Sequence, residues 1–598
     1  MPIKADNAFL PPDVAAALNG SAFSFGKDMD LDLDNRIQAD SKVFRGLVGL
    51  RGDLGANWTW DAYYQYGDNK RDSSVRYSRN NDAFFMAIDA VVDPNDPSRI
   101  ICRELDPVAL ARQAPDYQQK LIALHANCKP LNLFGVGNMD PEAVAFAWQQ
   151  VEEDFAFSQD VFAASVQGTL ADGWAGPIGF AGGVEYRDEG GDVTHGDLLA
   201  SDYAFSFGLD YAGKIEVLEG FVETNVPVFR DSALGEYFEL NGAIRYTENK
   251  STDTLLNESR SVDATSWKLS AIYDIARGVR LRATRSRDIR AAGFRELFQK
   301  TAPTEEGTAQ GRVNNPNLPA SNPADATPIY TGGNFTLSPE VGDTTTFGVV
   351  YAPPFLEGFQ ASIDWYQIEL TDAITNLSAQ RVVDLCVLYG TICDRVTFAS
   401  PTDITRVDAG QANVGVMDVK GIDFEASYVK AVGPGQVNLR LLLSRQNEYL
   451  VQENPFVPAI DYAGQSGAVV AGGFYPSPEW MGTLLMGYGT DRFNAMVSVR
   501  YVGDGILNKQ RIGPEDEGYA PTLPDSITTN RVAGATYTNL SLSYAFPFRS
   551  GGEQIEVFGL VDNLFDKDPP VAPTAYPTNA ALFDTFGRRY RAGVRIRF

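Results

Sequence analysis

The stretch Phe238–Tyr246, which reads FELNGAIRY, decides the fold. Apart from one glycine, every second position holds an apolar or aromatic residue: Phe238, Leu240, Ile244 and Tyr246. The positions between them hold polar, charged or small residues: Glu239, Asn241, Ala243 and Arg245. Because successive side chains of a β-strand point to opposite faces, this alternation predicts a strand with one apolar and one polar face.

The same period of two recurs along the chain, for example over residues 421–428, 539–546 and 590–598. About 17 or 18 such segments can be counted from strand and turn signals. Their lengths of roughly 10–15 residues suit strands that cross a membrane at a tilt. No stretch is apolar over the roughly 18 residues that a membrane helix needs.

Three features favour a membrane barrel over a soluble β-sandwich, whose strands also alternate. The apolar faces carry Phe, Tyr or Trp toward their ends, as aromatic girdles do. The opposite faces carry full charges, such as Arg280 and Arg282. Short turns alternate with long insertions, which are residues 69–152, 290–340, 371–413, 450–477 and 504–533. We therefore expect an all-β protein, a transmembrane antiparallel β-barrel whose long extracellular loops hold short helices.

Composition narrows the function. The chain has 50 Lys and Arg against 77 Asp and Glu, a net charge of −27, which excludes a nucleic-acid binder because phosphate recognition needs a basic surface. Only two histidines are present, which leaves few routes to a catalytic triad or a multi-histidine metal site. We expect no catalytic residue, no metal and no cofactor. The mean hydropathy of −0.19 is typical of strands whose two faces average out.

The four cysteines lie in two neighbouring pairs, Cys102 with Cys128 and Cys386 with Cys393. Four cysteines allow three connectivities, of which local pairing is the most economical. We expect two loop disulfides, formed in an oxidising compartment. Four unpaired thiols are the alternative.

A series of motifs carries a resemblance to a known family. In chain order they are residues 128–135 (CKPLNLFG), 282–290 (RATRSRDIR), 296–298 (ELF), 333–340 (GNFTLSPE), 344–348 (TTTFG), 561–567 (VDNLFDK) and the terminal Phe598. In this order they resemble the large TonB-dependent outer-membrane receptors, gated importers of scarce nutrients.

The resemblance implies a signal peptide, a TonB-contacting box and a plug domain ahead of a barrel of about 22 strands. We expect residues 1–22 to be a loop remnant and 23–598 the barrel, without its first strands, its plug or a signal peptide. The expected function is that of a receptor barrel for TonB-energised uptake, here a truncated fragment that is not competent alone. A passive porin-like channel and a soluble β-rich binding module are the rival hypotheses.

The resemblance also implies sites and partners. The last strand is expected to carry the barrel-insertion signal, formed by Tyr590, Val594, Ile596 and Phe598. Arginines of the same strand are expected to face a plug from the lumen: Arg591, Arg595 and Arg597. Aromatic residues of the long loops are ligand candidates: Phe84, Phe85, Trp148, Tyr462, Phe474 and Tyr475. The expected partners are outer-membrane lipid, the barrel-insertion machinery, TonB through a plug absent here, and an unknown extracellular ligand.

Overall fold

One antiparallel sheet dominates the computed structural model of this chain. The structure describes residues 1–597 except 56, 112, 114, 197–207, 301–311, 319–323, 327–328, 453–456, 468–476, 524, 548–553 and 572–577. Within those residues, seventeen long strands and the two-residue strand Ile460–Asp461 form the sheet, which confirms the predicted fold class.

The long strands follow one another in chain order around the barrel. They are β1 Ile37–Asp53, β2 Trp58–Arg79, β3 Trp148–Gly173, β4 Gly176–His195, β5 Tyr211–Ser232, β6 Gly235–Asp253, β7 Glu258–Ala276, β8 Val279–Arg290, β9 Glu340–Tyr351, β10 Phe359–Leu377, β11 Gly410–Val432, β12 Gly435–Gln452, β13 Trp480–Gly489, β14 Phe493–Val502, β15 Ala535–Pro547, β16 Gln554–Asp562 and β17 Arg589–Arg597.

Short turns join the strands at one rim and long loops join most of them at the other. Four-residue connections such as Gly173–Gly176 and Ser232–Gly235 belong to the short-turn rim. The helices lie in the loops of the opposite rim and in the N-terminal segment: α1 Pro12–Leu18, α2 Asn81–Ile88, α3 Pro107–Leu110, α4 Pro115–Ala126, α5 Pro141–Ala147, α6 Phe294–Phe298 and α7 Ala379–Tyr389. No helix in the described ranges is long and apolar enough to cross a membrane.

Small strands complete the loops and the N-terminal segment. They pair as Pro2–Ile3 with Phe23–Ser24, Ala90–Asp93 with Asp96–Cys102, Arg312–Asn314 with Ala324–Ala326, Ile329–Tyr330 and Val396–Ser400 with Asp403–Asp408, and Gly505–Ile506 with Arg531–Val532. Two 3₁₀ turns cover Met29–Leu31 and Cys393–Arg395.

The junction between β17 and β1, which we call the seam, differs from every other junction of the barrel. The strand order closes on itself there. Because seventeen strands alternate in direction, β1 and β17 run the same way, so they do not face each other as an antiparallel pair. A run of register pairs joins neighbouring long strands elsewhere, as between β1 and β2 and between β16 and β17. The described residues form no such run across the seam.

Side-chain exposure also marks the seam. On the outward face, Val48 of β1 is 72% exposed and Tyr590 of β17 is 71% exposed. The corresponding apolar residue Val222 of β5, which has a partner strand on each side, is 47% exposed. Each seam strand therefore packs against one neighbour only.

Compact apolar clusters lie in the loops and at the ends of the strands that lead into them. The cluster around α2 and α5 also holds the N-terminal segment, through Ile3, Leu10 and Leu33. For this reason β1 begins at Ile37, whereas the barrel was expected from residue 23. Residues 23–36 pack on the loops instead of joining the sheet.

Candidate transport lumen and extracellular loops

The alternate positions of each strand separate the barrel wall into two faces. Large apolar side chains of the outward face are exposed, as for Ile244, Leu269 and Ile363. Charged side chains of the inward face form ion pairs between neighbouring strands: Arg245–Glu219, Arg280–Asp274, Arg440–Glu425 and Arg595–Glu556. The pair Arg282–Asp364 spans from β8 to β10 across Gly348 of β9. The wall therefore offers an apolar surface outside and a charged surface inside.

Two adjoining cavities lie along this inner wall. One of about 570 Å³ contains the Arg282–Asp364 pair, Asp423 and Glu425 among its lining residues. The other, of about 340 Å³, is lined by Tyr537, Asn539, Asp562 and Arg589 among others. Thr483 and Arg500 line both cavities. Charged and hydrogen-bonding side chains therefore line both cavities.

The three arginines expected to face a plug lie on the inner face of β17. Arg591 Nη2 is 2.9 Å from Asp562, and Arg595 Nη1 is 2.8 Å from Glu556. Arg597 is paired in register with Gln554 of β16. The side chains of Arg591 and Arg595 remain 66% and 56% exposed, so they are open to a further contact.

The residues expected to form the insertion signal lie on the opposite face of the same strand. Tyr590, Val594 and Ile596 are all exposed there. Phe598 lies outside the described residues.

The loop aromatics do not form a common ligand surface. Phe84 is fully buried and Trp148 is 6% exposed, with their ring centroids 5.3 Å apart between α2 and α5. The guanidinium of Arg79 lies 4.7 Å from the ring centroid of Phe84. The ligand prediction is wrong for Phe84 and Trp148, because both hold the loop together. Phe85 stays 46% exposed and keeps its candidacy.

Tyr462 is likewise buried, at 4% exposure, and its hydroxyl accepts a hydrogen bond from Gln510 Nε2 at 2.9 Å. Its predicted contact with a ligand is therefore wrong. Phe474 and Tyr475 lie outside the described residues.

Disulfides join the cysteines as local pairs. Cys102 is bonded to Cys128, which ties the strand Asp96–Cys102 to the segment after α4. Cys386 of α7 is bonded to Cys393. Both bonds lie in loops beyond the long-loop rim.

Sequence reasoning missed a buried ion pair in the N-terminal segment. Lys27 Nζ is 2.7 Å from Asp32, and their side chains are only 7% and 2% exposed. Lys27 also donates to the carbonyls of Leu133 and Gly135. The hydrogen bond from Lys27 lowers the pKa of Asp32. The pair therefore fastens the segment that leads into β1 to the loop before α5.

His195 forms a second group of ion-pair contacts that the sequence did not indicate. It ends β4, opposite Glu153 of β3. Its Nδ1 lies 3.2 Å from Asp210 and its Nε2 lies 3.4 Å from Glu153, and both Glu153 and the imidazole are about nine-tenths buried. Burial lowers the pKa of His195, but hydrogen bonds to Glu153 and Asp210 outweigh it and raise that pKa above 6.5.

The last residue of the RATRSRDIR motif, Arg290, connects β8 to two neighbouring elements. Arg290 contacts Glu340 of β9 at 2.5 Å and Glu296 of α6 at 2.8 Å. Glu296 also accepts a hydrogen bond from the backbone N–H of Gly293. The first residue of the ELF motif is therefore the carboxylate that closes α6 onto β8.

These features define the class of outer-membrane β-barrels: an apolar outer face, an ion-paired lumen and long loops at one rim. The model of the family described as TonB dependent receptor-like, beta-barrel, matches residues 5–564. The chain belongs to this family, as the sequence motifs indicated. TonB-dependent receptors are transporters and not enzymes, which agrees with the expected absence of catalysis.

Solved structures show the same fold at low identity. The pyoverdine outer-membrane receptor FpvA from Pseudomonas aeruginosa is 10% identical, with a TM-score of 0.51 over 94% of this chain and 62% of that one. The ferric preacinetobactin receptor BauA from Acinetobacter baumannii is also 10% identical, with a TM-score of 0.50 over 94% and 63%. The chain thus spans less than two thirds of either receptor. No curated protein matches the sequence.

Proposed function

We propose that this chain forms the wall of an outer-membrane receptor for TonB-energised uptake of a scarce nutrient. The observation that carries the proposal is the separation of one sheet into an exposed apolar face and an ion-paired inner face. A wall of this kind supplies a passage and needs no covalent chemistry. Family membership supports gated uptake as the purpose of that passage.

The part of the chain in the barrel is proposed to be incompetent for gated uptake alone. Unpaired backbone groups at a strand edge cost several kcal/mol each in hydrocarbon. Because β1 and β17 run in the same direction, only an odd number of further strands between them gives antiparallel pairing on both sides. We propose that such strands, and a plug that contacts TonB, come from polypeptide outside residues 37–597.

The last strand has two proposed contacts. Arg591, Arg595 and Arg597 on its inner face would meet acidic groups of the plug, because two of them keep more than half of their surface exposed. Tyr590, Val594 and Ile596 on its outer face would be read by the barrel-insertion machinery, and the apolar band of the wall would meet outer-membrane lipid.

Cysteine labelling on cells tests the placement. Leu256 lies at the tip of the β6–β7 turn on the long-loop side, and Trp174 lies in the β3–β4 turn at the other rim. Both are exposed, at 60% and 80%. On intact cells that export the protein, a membrane-impermeant maleimide should label Leu256→Cys. It should label Trp174→Cys only after the outer membrane is permeabilised. Equal labelling of both would contradict the placement.

Reconstitution into vesicles separates the rival functions. The proposed fragment either fails to insert or leaks without gating. A stable, energy-independent conductance with heat-modifiable migration would favour a passive channel. A monodisperse protein without detergent would favour a soluble binding module. TonB-dependent uptake of a ligand by this chain alone would contradict the proposed incompetence.

A further inference from the structure

Two charged groups on the inner wall have no partner of opposite charge. They are Asp423 of β11 and Arg500 of β14, and both line the cavity of about 570 Å³. Asp423 accepts a hydrogen bond from the hydroxyl of Ser444 at 2.6 Å. The guanidinium of Arg500 lies 5.3 Å from the ring centroid of Tyr537. Within the described residues, neither Asp423 nor Arg500 forms an ion pair.

The other charged groups that line this cavity are paired. Arg282 is 2.6 Å from Asp364, and Glu425 is 2.9 Å from Arg440. Each of these pairs is neutral as a unit. The cavity therefore presents one uncompensated carboxylate and one uncompensated guanidinium to a solute.

The adjoining cavity of about 340 Å³ does not supply the missing carboxylate for Arg500. Asp562 lies 3.8 Å from Arg589. Asp584 accepts hydrogen bonds from Asn563 Nδ2 and from a backbone N–H. In the part of the chain that the structure describes, neither carboxylate forms an ion pair with Arg500, so its guanidinium remains available.

Strand pairing sets the separation of the two uncompensated groups. Glu425, Leu442, Thr483 and Arg500 are in register across β11, β12, β13 and β14. Three strand spacings separate the backbones of β11 and β14 by about 14 Å. Asp423 lies two residues from Glu425 on the same face. The carboxylate and the guanidinium therefore lie on opposite sides of the cavity.

The wall between the two groups offers both apolar and hydroxyl side chains. Leu442 and Met481 are 36% and 42% exposed. The hydroxyl of Thr483, which also lines the cavity, makes no hydrogen bond within the described ranges. A single amino acid is too short to reach both charges. Three residues of extended chain span about 10 Å, and the long arginine side chain covers the remainder.

We propose that this cavity binds a zwitterionic solute of the class of short peptides. The ammonium group of the solute meets Asp423, which Ser444 holds by its hydrogen bond, and the carboxylate meets Arg500. The planar fork of guanidinium donors suits a carboxylate in particular. The inference rests on the proposed function, because it names the class of solute that the passage would take.

The test measures the binding of defined peptides to the full chain, refolded in detergent, by titration calorimetry. The probe is trialanine, which carries both end charges. N-acetyl-trialanine lacks the ammonium group, trialanine amide lacks the carboxylate, and alanine has both charges but is too short. We expect trialanine to bind about tenfold more tightly than each of the other three.

Two variants assign the two ends separately. Arg500→Gln should bind trialanine and its amide equally, while it still prefers trialanine to the acetylated peptide. Asp423→Asn should show the reverse pattern. A general loss of structure would not remove discrimination at one end only.

The matched control is Arg245→Gln, which removes a lumen arginine that pairs with Glu219 and lines neither cavity. All of its affinities should stay within about twofold of those of the unmodified chain. Folding of each variant is checked by heat-modifiable migration. If Arg500→Gln or Asp423→Asn does not fold, the comparison of capped and uncapped peptides on the unmodified chain still decides the proposal.

Three results would overturn the proposal. They are equal binding of trialanine and both capped peptides, no binding of trialanine to the folded unmodified chain, and the same loss in Arg245→Gln as in Arg500→Gln. Any of them with the expected cysteine labelling would leave the proposed function standing. Charge-dependent binding of trialanine without that labelling would keep the site and remove the outer-membrane role.

Discussion

The wall strand β4 and the seam strand β1 have similar sequences of alternating residues but different surroundings. β4 is paired along its length with β3 on one side and β5 on the other. β1 is paired in register with β2 alone. The comparison shows that alternating residues are enough to form a strand. A strand becomes part of the continuous sheet only when it is paired on both sides. In the described residues, register pairing holds β1 to β2 and β17 to β16, each on one side only.

The largest expected effect comes from proline in the two strands. Val184→Pro removes a ladder hydrogen bond from β4 and forces the chain against two partner strands, at a cost of about 3 kcal/mol or more. We expect this variant not to fold. Val48→Pro in β1 has one partner strand and should fold with reduced yield. The measurement is the heat-modifiable fraction on gels after refolding in detergent. An equal loss of that fraction in both variants would contradict the proposed difference between β4 and β1.

The next effect concerns the anchor of the seam strand. Asp32→Ala leaves the Lys27 ammonium buried without its carboxylate, so the N-terminal segment should detach from the loops. Trypsin should then cleave at Arg36, just before β1, roughly tenfold faster. Asp34→Ala is the control, because Asp34 is 52% exposed and pairs with Arg36 on the surface. Unchanged cleavage in Asp32→Ala would show that β1 needs no anchor.

A smaller effect depends on pH and lies at the top of the wall. Because the pKa of His195 is raised above its unfolded value of 6.5, its stabilising contribution is complete below that value. It is lost as the pH rises through the folded-state pKa. Arg295, which hydrogen-bonds Tyr211, and Lys300, which pairs with Asp253, are the nearby cations. They do not neutralise Glu153 or Asp210 by direct contact in the described residues.

The unfolding midpoint should therefore be higher near about pH 5.5 than near about pH 8.5. His195→Asn should remove most of that difference. His125→Asn should preserve it, because His125 lies in α4 away from this site. A pH dependence that survives in His195→Asn would assign it to other groups.

The smallest effect is expected at the exposed ion pair of β17. Arg595→Gln breaks the contact with Glu556, but the arginine side chain is 56% exposed, so solvent screens the pair. The free energy of unfolding should fall by about 1 kcal/mol or less. A larger loss, seen in denaturant titration, would mean that the pairing of β16 with β17 depends on charge.

Much of the wall was predictable because its signal is local. The alternation in Phe238–Tyr246 requires only that side chains of a strand point to opposite faces, and the register of β6 with β7 follows it. The burial of Phe84 and Trp148 depends on α2, α5 and the N-terminal segment meeting in space. No period in the sequence encodes that meeting, so exposed-looking loop aromatics were misread as ligand contacts.

The charge patterns show the same limit. Asp32 looks like one of several alternating surface carboxylates in the sequence, yet it is buried against Lys27. His195 lies near several acidic residues along the chain, whereas its partner Glu153 is more than forty residues away in the neighbouring strand. Neither partnership can be found without the pairing of strands or loops that brings the two groups together.

Hydrogen exchange on the reconstituted chain tests the central claim, that the sheet is continuous through the wall and interrupted at the seam. Alternate amides of an antiparallel strand point to opposite neighbours. About half of the amides in Ile37–Asp53 should therefore exchange early, whereas those in Trp148–Gly173 and Gly176–His195 should stay protected. Equal protection of Ile37–Asp53 and the wall strands would show that the seam is paired, and would contradict the account.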